Sequence, residues 1–107
     1  MNALTIDVHP TAAGPVLRVA GDLDFDRAPA LRRRIDELSL EPGQCLVVDL
    51  SGLGFCDSSG ITALLAARQH ALAAGADIVL AAVPANLMRV LTLVGLDRVF
   101  TLRPDTP

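Results

Sequence analysis

Two kinds of hydrophobic pattern follow one another along this chain, and their order constrains its fold more than any other feature of the sequence. Five short segments are either alternately apolar and polar or almost continuously apolar, as is typical of β-strands. Three other segments repeat apolar residues at helical spacing, for example Leu31, Ile35 and Leu38. The predicted order is β-β-α-β-α-β-α-β. The predicted strands cover residues 4–8, 16–20, 45–50, 78–82 and 99–102, and the apolar stripes of the predicted helices cover 31–38, 61–72 and 87–94.

The connections between these segments predict how the strands pair. Only a short segment containing Gly14 and Pro15 separates the first two strands, which favours an antiparallel hairpin. Each later strand follows a helix, and a helical crossover requires parallel neighbours. The segment 45–50 is almost continuously apolar, as expected for a strand that is covered on both faces in a sheet flanked by helices. The sequence therefore predicts an α/β fold in which helices pack on a small mixed β-sheet.

The whole chain is predicted to form one domain. A chain of 107 residues is long enough to bury about two-thirds of the surface that it exposes when unfolded. The sequence shows no linker, repeat or low-complexity segment. We expect residues 3–102 to form the ordered core and residues 103–107 a polar tail. The two cysteines, Cys45 and Cys56, form no C-x-x-C motif and are expected to be small buried hydrophobic residues.

The composition argues against several classes of partner. The net charge is −3 and the chain has neither Trp nor Tyr. It therefore lacks both the positive field and most of the stacking side chains with which proteins bind nucleic acids. No segment resembles a secretion signal, and no apolar run approaches the ~18 residues that a membrane-spanning helix needs. These observations predict a cytoplasmic protein with no nucleic-acid partner and no insertion into a membrane.

A cluster of acidic residues follows the second predicted strand. Asp22, Asp24 and Asp26 have the D-x-D-x-D spacing of a calcium-binding loop. Such a loop needs Gly at its sixth position and Glu at its twelfth, where this chain has Arg27 and Arg33. The calcium interpretation therefore fails. Two interpretations stay open. One is an aspartyl nucleophile. The simpler one is that the acidic side chains cap the first helix and that their negative charge interacts favourably with its positive end.

The segment Asp57-Ser58-Ser59-Gly60 opens the second predicted helix. Asp, Ser and Gly are ordinary residues at a helix start, so a purely structural interpretation is available. The nucleophile elbow of a serine hydrolase needs G-x-S-x-G, but Cys56 stands where the first Gly belongs. A serine at a helix start can instead accept a phosphate, which the helix dipole and free N–H groups favour. Phosphorylation of Ser58 would change the net charge from −3 to about −5.

These two segments together resemble the STAS family, and within it the bacterial anti-sigma factor antagonists. Residues 21–24 (G-D-L-D) are similar to the G-[DE]-L-D turn that follows the second strand in that family. Residues 49–61 are similar to its D-L-S-x-L-x-F-x-D-S-S-G-[IL] segment, which is the longer and more specific of the two. The similarity continues to Val99 and covers nearly the whole chain. The fold that it implies, a single STAS domain over residues 1–107, agrees with the fold predicted from the hydrophobic pattern.

The resemblance also implies a mechanism. Ser58 matches the serine that is phosphorylated by a partner which is both an anti-sigma factor and a serine kinase. In its unphosphorylated form such a protein binds the anti-sigma factor and frees the sigma factor, and a separate serine phosphatase resets it. By this resemblance the chain is not an enzyme and needs no cofactor or metal of its own. The residues assigned to the partner-facing surface are Asp22, Asp24, Asp57, Ser58, Ser59 and Gly60.

Three alternatives stay open at this point. STAS-like domains also serve as accessory subunits of lipid-transport ATPases and as parts of sensory or transporter assemblies. Ser59 is a second candidate phosphate acceptor, because the sequence alone does not distinguish adjacent serines. The third alternative is an enzyme in which Asp22, Asp24 or Ser58 is the reacting group, and it predicts turnover by the isolated chain.

Overall fold

The structure, a computed structural model, describes residues 2–105 as a mixed β-sheet with helices packed against it. The α/β fold and the order of helices and strands predicted from the sequence are confirmed. The structure adds one short strand and one short 3-10 helix to that order. The elements are β1 (Thr5–His9), β2 (Val16–Leu23), α1 (Ala28–Asp36), β3 (Cys45–Asp49), β4 (Leu53–Cys56), α2 (Ser58–Ala73), β5 (Asp77–Ala81), α3 (Ala85–Leu93), the 3-10 helix (Leu96–Arg98) and β6 (Thr101–Arg103).

The strands pair as their connections predict. Along the sheet the order is β1-β2-β3-β5-β6. β1 and β2 form an antiparallel hairpin, while β3, β5 and β6 continue the sheet in parallel. Two reciprocal backbone hydrogen bonds of 3.1 Å between Thr11 and Gly14 close the hairpin turn. Gly14 has a φ of 133°, in a region of conformational space that favours glycine.

The sequence pattern does not predict β4, because Gly52 and Gly54 give this segment the composition of a loop. β4 forms because β2 is eight residues long and extends past β3. The last three residues of β2 pair in parallel with β4, and Leu23 lies beside Cys56. The residues that follow β2 and β4 therefore emerge at the same edge of the sheet.

The helices cover one face of the sheet. Their buried side chains form one hydrophobic cluster with strand residues such as Leu46 and Leu80. The opposite face carries a small separate cluster of Val16, Val47 and Ala81, to which no helix residue of the described part contributes. β3 is thus largely buried on both faces, but the expectation of flanking helices on both is wrong. The crossovers all advance in the same direction along the sheet, so right-handed connections place every helix on the same side.

The buried face of α2 consists mainly of small side chains. Ala63, Ala67 and Ala71 are completely buried on it, where α2 packs against α1 and β5. Leu72, which the sequence pattern assigns to the buried stripe, is 45% exposed. That assignment is wrong because the three alanines, four residues apart, define the face that meets the core.

The apolar stripe of α3 is divided between the core and the surface. Leu87 and Leu91 are buried, whereas Val90 and Val94 are exposed. The helix ends at Leu93, one residue before the end of the predicted stripe, and Gly95 follows it in the left-handed conformation with a φ of 80°. Two valines that the pattern assigns to the core are therefore available at the surface.

The two cysteines are free and half-buried. Cys56 packs at the margin of the larger hydrophobic cluster and Cys45 at the margin of the smaller one. Burial, with a contribution from the charge of Asp77, raises the pKa of the Cys45 thiol. The expectation that both are buried hydrophobic residues is met only in part.

The C-terminal boundary differs slightly from the prediction. β6 includes Arg103, so the polar tail begins one residue later, at Pro104. Thr106 and Pro107 of that tail, like Met1, lie outside the described residues. Between residues 2 and 105, no helix combines the length and the hydrophobicity that crossing a membrane requires.

Candidate partner-binding site

The candidate site lies at the carboxyl ends of β2 and β4. These strands run in parallel, and Leu23 at the end of β2 pairs with Cys56 at the end of β4. The backbone N–H of Asp57 donates to the carbonyl of Leu23 over 3.3 Å, which ties the two strand ends together. The structure thus brings the two sequence motifs to one edge of the sheet.

Asp57 is the N-cap residue of α2. Its backbone is extended, with a φ of −97° and a ψ of −170°. Its Oδ1 atom accepts hydrogen bonds from the backbone N–H groups of Ser59 (2.9 Å) and Gly60 (3.2 Å). These bonds satisfy backbone N–H donors that a helix start leaves free. The negative charge of the carboxylate also interacts favourably with the positive end of the helix dipole. Asp57 is therefore the residue of this segment that caps the start of α2.

Ser58 is the first residue of α2, and its side chain is exposed. It borders the α2–α3 groove, a depression of about 460 Å³ between these two helices. Its walls are mostly apolar, with Ile61 on one side and Val90 and Val94 on the other. A hydroxyl beside an apolar groove forms a surface that a protein partner can cover, because burial of apolar area drives association.

Ser59 borders a different depression, the α1–α2 groove, which has a volume of about 230 Å³ and lies between the starts of α1 and α2. Ser59 is half-buried there, whereas Ser58 is exposed. Access therefore distinguishes the two serines, and it favours Ser58 as the residue that another protein's active site can reach. The α1–α2 groove is lined by Phe25, Ala28, Pro29, Arg32, Ser59 and Thr62.

Gly60 is explained by close packing. A Cβ atom on this residue would lie 2.5 Å from Sγ of Cys56 and 2.9 Å from both Cγ and the carbonyl oxygen of Leu23. These separations are shorter than the ~3.5 Å of favourable contact between heavy atoms. The start of α2 therefore approaches the end of β2 more closely than any other residue type would allow.

Asp24 orders the turn that leads from β2 into α1. Its Oδ1 accepts the backbone N–H of Arg27 over 3.0 Å, and its Oδ2 pairs with Nη1 of the same arginine over 2.6 Å. Its carbonyl accepts the N–H of Ala28 over 2.8 Å. Asp24 therefore orders this turn but does not cap α1. The N-cap position is Arg27, and no side chain of the described residues makes a capping hydrogen bond there, so the capping role expected of Asp24 or Asp26 is not met; Asp26 is an exposed residue of the same turn. Asp24 lies half-buried at the same edge of the sheet as Asp57.

Asp22 lies apart from this exposed surface. It is only 9% exposed, and its Oδ2 accepts the backbone N–H of Asn2 over 3.0 Å. The backbone N–H of Asp22 donates in turn to the carbonyl of Asn2 over 3.3 Å. Its visible role is to attach the N-terminal segment to β2. Of the six residues assigned to the partner-facing surface, the structure brings together Asp24, Asp57, Ser58, Ser59 and Gly60 but not Asp22.

Four residues around Ser58 and Ser59 are missed by sequence reasoning. Val90 and Val94 follow a helical stripe that predicts burial, and Arg32 belongs to an arginine run that predicts only a solvated helix face. Phe25 is 75% exposed within the acidic turn, between Asp24 and Asp26. An aromatic residue in an otherwise polar turn is the one signal that could have indicated it.

Cys56 and the two histidines show how the thiol and the imidazole side chains stand relative to Ser58. Burial, together with the charge of Asp57, raises the pKa of Cys56 to about 11, so its thiol stays protonated at neutral pH. Neither histidine is placed as a base for Ser58. Nε2 of His70 lies 2.9 Å from the carbonyl oxygen of Leu38. His9 pairs with the first residue of β2, whereas the candidate site lies beyond the last residue of that strand. Across residues 2–105, His, Cys, Asp and Glu side chains form no group of three that could hold a metal ion.

Comparisons with known proteins agree with the motifs. The family described as "Mlab, STAS domain" matches residues 6–104. The anti-sigma-F factor antagonist RsfB of Mycobacterium tuberculosis is 30% identical over 101 residues, which are 94% of this chain and 82% of RsfB. The crystal structure of an anti-sigma factor antagonist from Mycobacterium paratuberculosis has a TM-score of 0.83 at 30% identity, over 95% of this chain and 86% of that one. The Bacillus cell fate determinant SpoIIAA in its phosphorylated form shares the fold, with a TM-score of 0.70 at 20% identity over 98% of this chain and 92% of that one.

The family match extends over both motifs that meet at the ends of β2 and β4. The relatives at 30% identity are themselves anti-sigma factor antagonists. This chain therefore belongs to the STAS-domain family and, within it, is similar to anti-sigma factor antagonists.

Proposed function

We propose that this chain is an anti-sigma factor antagonist that binds an anti-sigma factor through the surface around Ser58. The observation that carries the proposal is the position of Ser58, an exposed hydroxyl on the first residue of α2 beside the apolar α2–α3 groove. Burial of that groove would supply the hydrophobic part of the binding free energy. The neutral hydroxyl adds no second charge for the partner to bury beside Asp57, which also lines this groove. The names of the relatives at 30% identity support the same function.

We further propose that phosphorylation of Ser58, by a partner that is both anti-sigma factor and serine kinase, releases this partner. Oδ1 of Asp57 already accepts the N–H groups of Ser59 and Gly60. A phosphate on Ser58 would find these donors taken, in contrast to the free N–H groups expected from the sequence, and would stay exposed beside a carboxylate. Its charge of about −1.5 to −2 would face the partner. A penalty of ~3 kcal/mol is enough to weaken binding about 150-fold.

In this scheme the chain is the phosphoryl acceptor and not an enzyme. The kinase supplies ATP and its metal, a serine phosphatase restores the hydroxyl, and no cofactor is assigned to this chain. Residues 1–107 act as a single STAS domain. Because its partners control transcription, we assign the protein to the cytoplasm.

Affinity capture of the tagged chain from its native cells, followed by mass spectrometry, tests both parts of the proposal. We expect an anti-sigma factor with a serine kinase domain in the eluate, with phosphate on Ser58 in part of the captured pool. Ser58→Ala should retain this partner and lose the phosphate, whereas the matched control Ser59→Ala should retain both. A permease and a transport ATPase in the eluate, with Ser58 unmodified, would overturn the proposal in favour of an accessory transport subunit.

A further inference from the structure

The α1–α2 groove adjoins the proposed binding surface on the side away from α3. Ala28 and Pro29 at the start of α1 form an apolar wall of this groove. The ring of Phe25 also lines it and is 75% exposed. An exposed aromatic side chain beside a small apolar groove has the character of an interface anchor, because aromatic residues are enriched among the contacts that dominate binding.

Arg32 is the one charged residue that lines this groove within the described part of the chain. No ion pair between residues 2 and 105 involves Arg32. On the other side of α1, Arg34 lines a separate cleft together with two acidic residues and two further arginines, and it likewise forms no ion pair within residues 2–105. The charge of Arg32 is therefore available to a carboxylate from outside the chain, and a guanidinium suits this role because it can bond both carboxylate oxygens.

The two grooves are parts of one surface. Thr62 lines both of them. The consecutive residues Ser58 and Ser59 border the α2–α3 groove and the α1–α2 groove respectively. A partner that covers Ser58 can therefore reach Phe25 and Arg32 over continuous surface.

We propose that the α1–α2 groove receives a segment of the same anti-sigma factor in which an apolar side chain lies next to a carboxylate. The apolar side chain packs against Phe25 and Pro29, and the carboxylate pairs with Arg32. The identity of the partner rests on the proposed function. Phe25 and Arg32 lie outside the phosphorylation site, so they determine which anti-sigma factor is bound, while Ser58 determines when it is bound.

Isothermal titration calorimetry tests this inference, with the purified anti-sigma factor from the capture experiment as the probe. Arg32→Glu should weaken binding at least tenfold, because it places a like charge against the partner's carboxylate. Arg34→Glu makes the same charge change on the other side of α1 and should alter the affinity less than twofold. Phe25→Ala should also weaken binding at least tenfold. Added salt should reduce the effect of Arg32→Glu but not that of Phe25→Ala, because salt screens exposed charges.

The outcomes separate this inference from the proposed function. If the wild-type chain binds and Ser58→Asp releases the partner, while Arg32→Glu and Phe25→Ala bind like wild type, this inference fails and the proposed function stands. Equal losses for Arg32→Glu and Arg34→Glu would indicate a general charge effect and would also overturn it. If the wild-type chain does not bind, the proposed function fails and this inference fails with it. Phe25 and Arg32 are both exposed, so circular dichroism should find these variants folded.

Discussion

Replacement of Gly60 by alanine tests how closely the start of α2 is held against β2. The new methyl group would lie 2.5 Å from Sγ of Cys56 and 2.9 Å from the carbonyl oxygen of Leu23. The thiol can turn away, but the carbonyl belongs to the backbone and accepts the N–H of Asp57 over 3.3 Å. The methyl group therefore fits only if α2 moves away from the paired ends of β2 and β4.

Two opposing contributions set the size of this effect. Alanine stabilises a helical position by about 1 kcal/mol relative to glycine. Insertion of a methyl group into a closely packed site costs about 1–3 kcal/mol, and contact with fixed backbone belongs to the upper part of that range. We therefore expect Gly60→Ala to lower the free energy of unfolding by about 1–2 kcal/mol. In a domain of 107 residues this loss lowers the melting temperature by about 4–16 °C.

Urea denaturation followed by far-ultraviolet circular dichroism measures the change, since the chain has no Trp or Tyr to report by fluorescence. The matched control is Gly60→Ala in a Cys56→Ala background, where Sγ is absent. Gly60→Ala should still destabilise that background, because the carbonyl oxygen of Leu23 remains, and any smaller loss than in the wild-type chain gives the cost of turning the thiol away. An unchanged or raised stability of the single variant would refute the close approach of α2 to β2. Equal losses in both backgrounds would show that Sγ does not limit the space.

Three further predictions concern the start of α2. Asp57→Ala removes two capping hydrogen bonds and should lower the free energy of unfolding by about 0.5–2 kcal/mol, while Asp57→Asn keeps an acceptor oxygen and should lose much less. Urea denaturation compares the two variants, and equal losses would mean that the charge matters rather than the bonds. Ser58→Asp should weaken binding of the anti-sigma factor and Ser58→Ala should preserve it in calorimetry, and equal affinities would contradict the phosphorylation switch. Iodoacetamide should modify Cys56 at pH 8 about two-hundredfold more slowly than a free cysteine, since a pKa of about 11 leaves about 0.1% thiolate against about 24% for a free thiol. The rate measured by mass spectrometry should rise as the pH approaches 11, and rapid modification at pH 8 would disprove the burial of this thiol.

Sequence patterns predict most of the sheet because each long element carries its own signal. The hairpin of β1 and β2 follows from the short turn at Gly14, and the parallel strands follow from the helices between them. β4 carries no comparable signal, since Gly52 and Gly54 interrupt its pattern. It becomes a strand because β2 extends past β3 and offers it backbone partners, which is a property of the assembled sheet.

The candidate site is predictable where its chemistry is local. A helix start can be recognised from neighbouring residues, so Asp57 and Ser58 are found from their motif. The groove beside them is not local, because Val90 and Val94 have the spacing of a core stripe and only the packing of α3 leaves them at the surface. Asp22 is the opposite case. Its acidic motif predicts a place on the partner-facing surface, but its side chain is buried and bonded to the N-terminal segment.

The alanine-lined face of α2 bears on how Ser58 meets a partner. Alanine has no side-chain rotamers, so Ala63, Ala67 and Ala71 lose no side-chain conformational entropy when the helix docks on the sheet. Leu64 is also buried on this helix, so most of the face, though not all of it, consists of side chains that cannot change rotamer, and α2 has few ways to repack against the sheet. Ser58 is the first residue of this helix, so the packing of α2 on the sheet also fixes the backbone position of Ser58. We expect the backbone of Ser58 to keep the same position in the free and the bound protein, so that recognition requires little reorganisation of this domain.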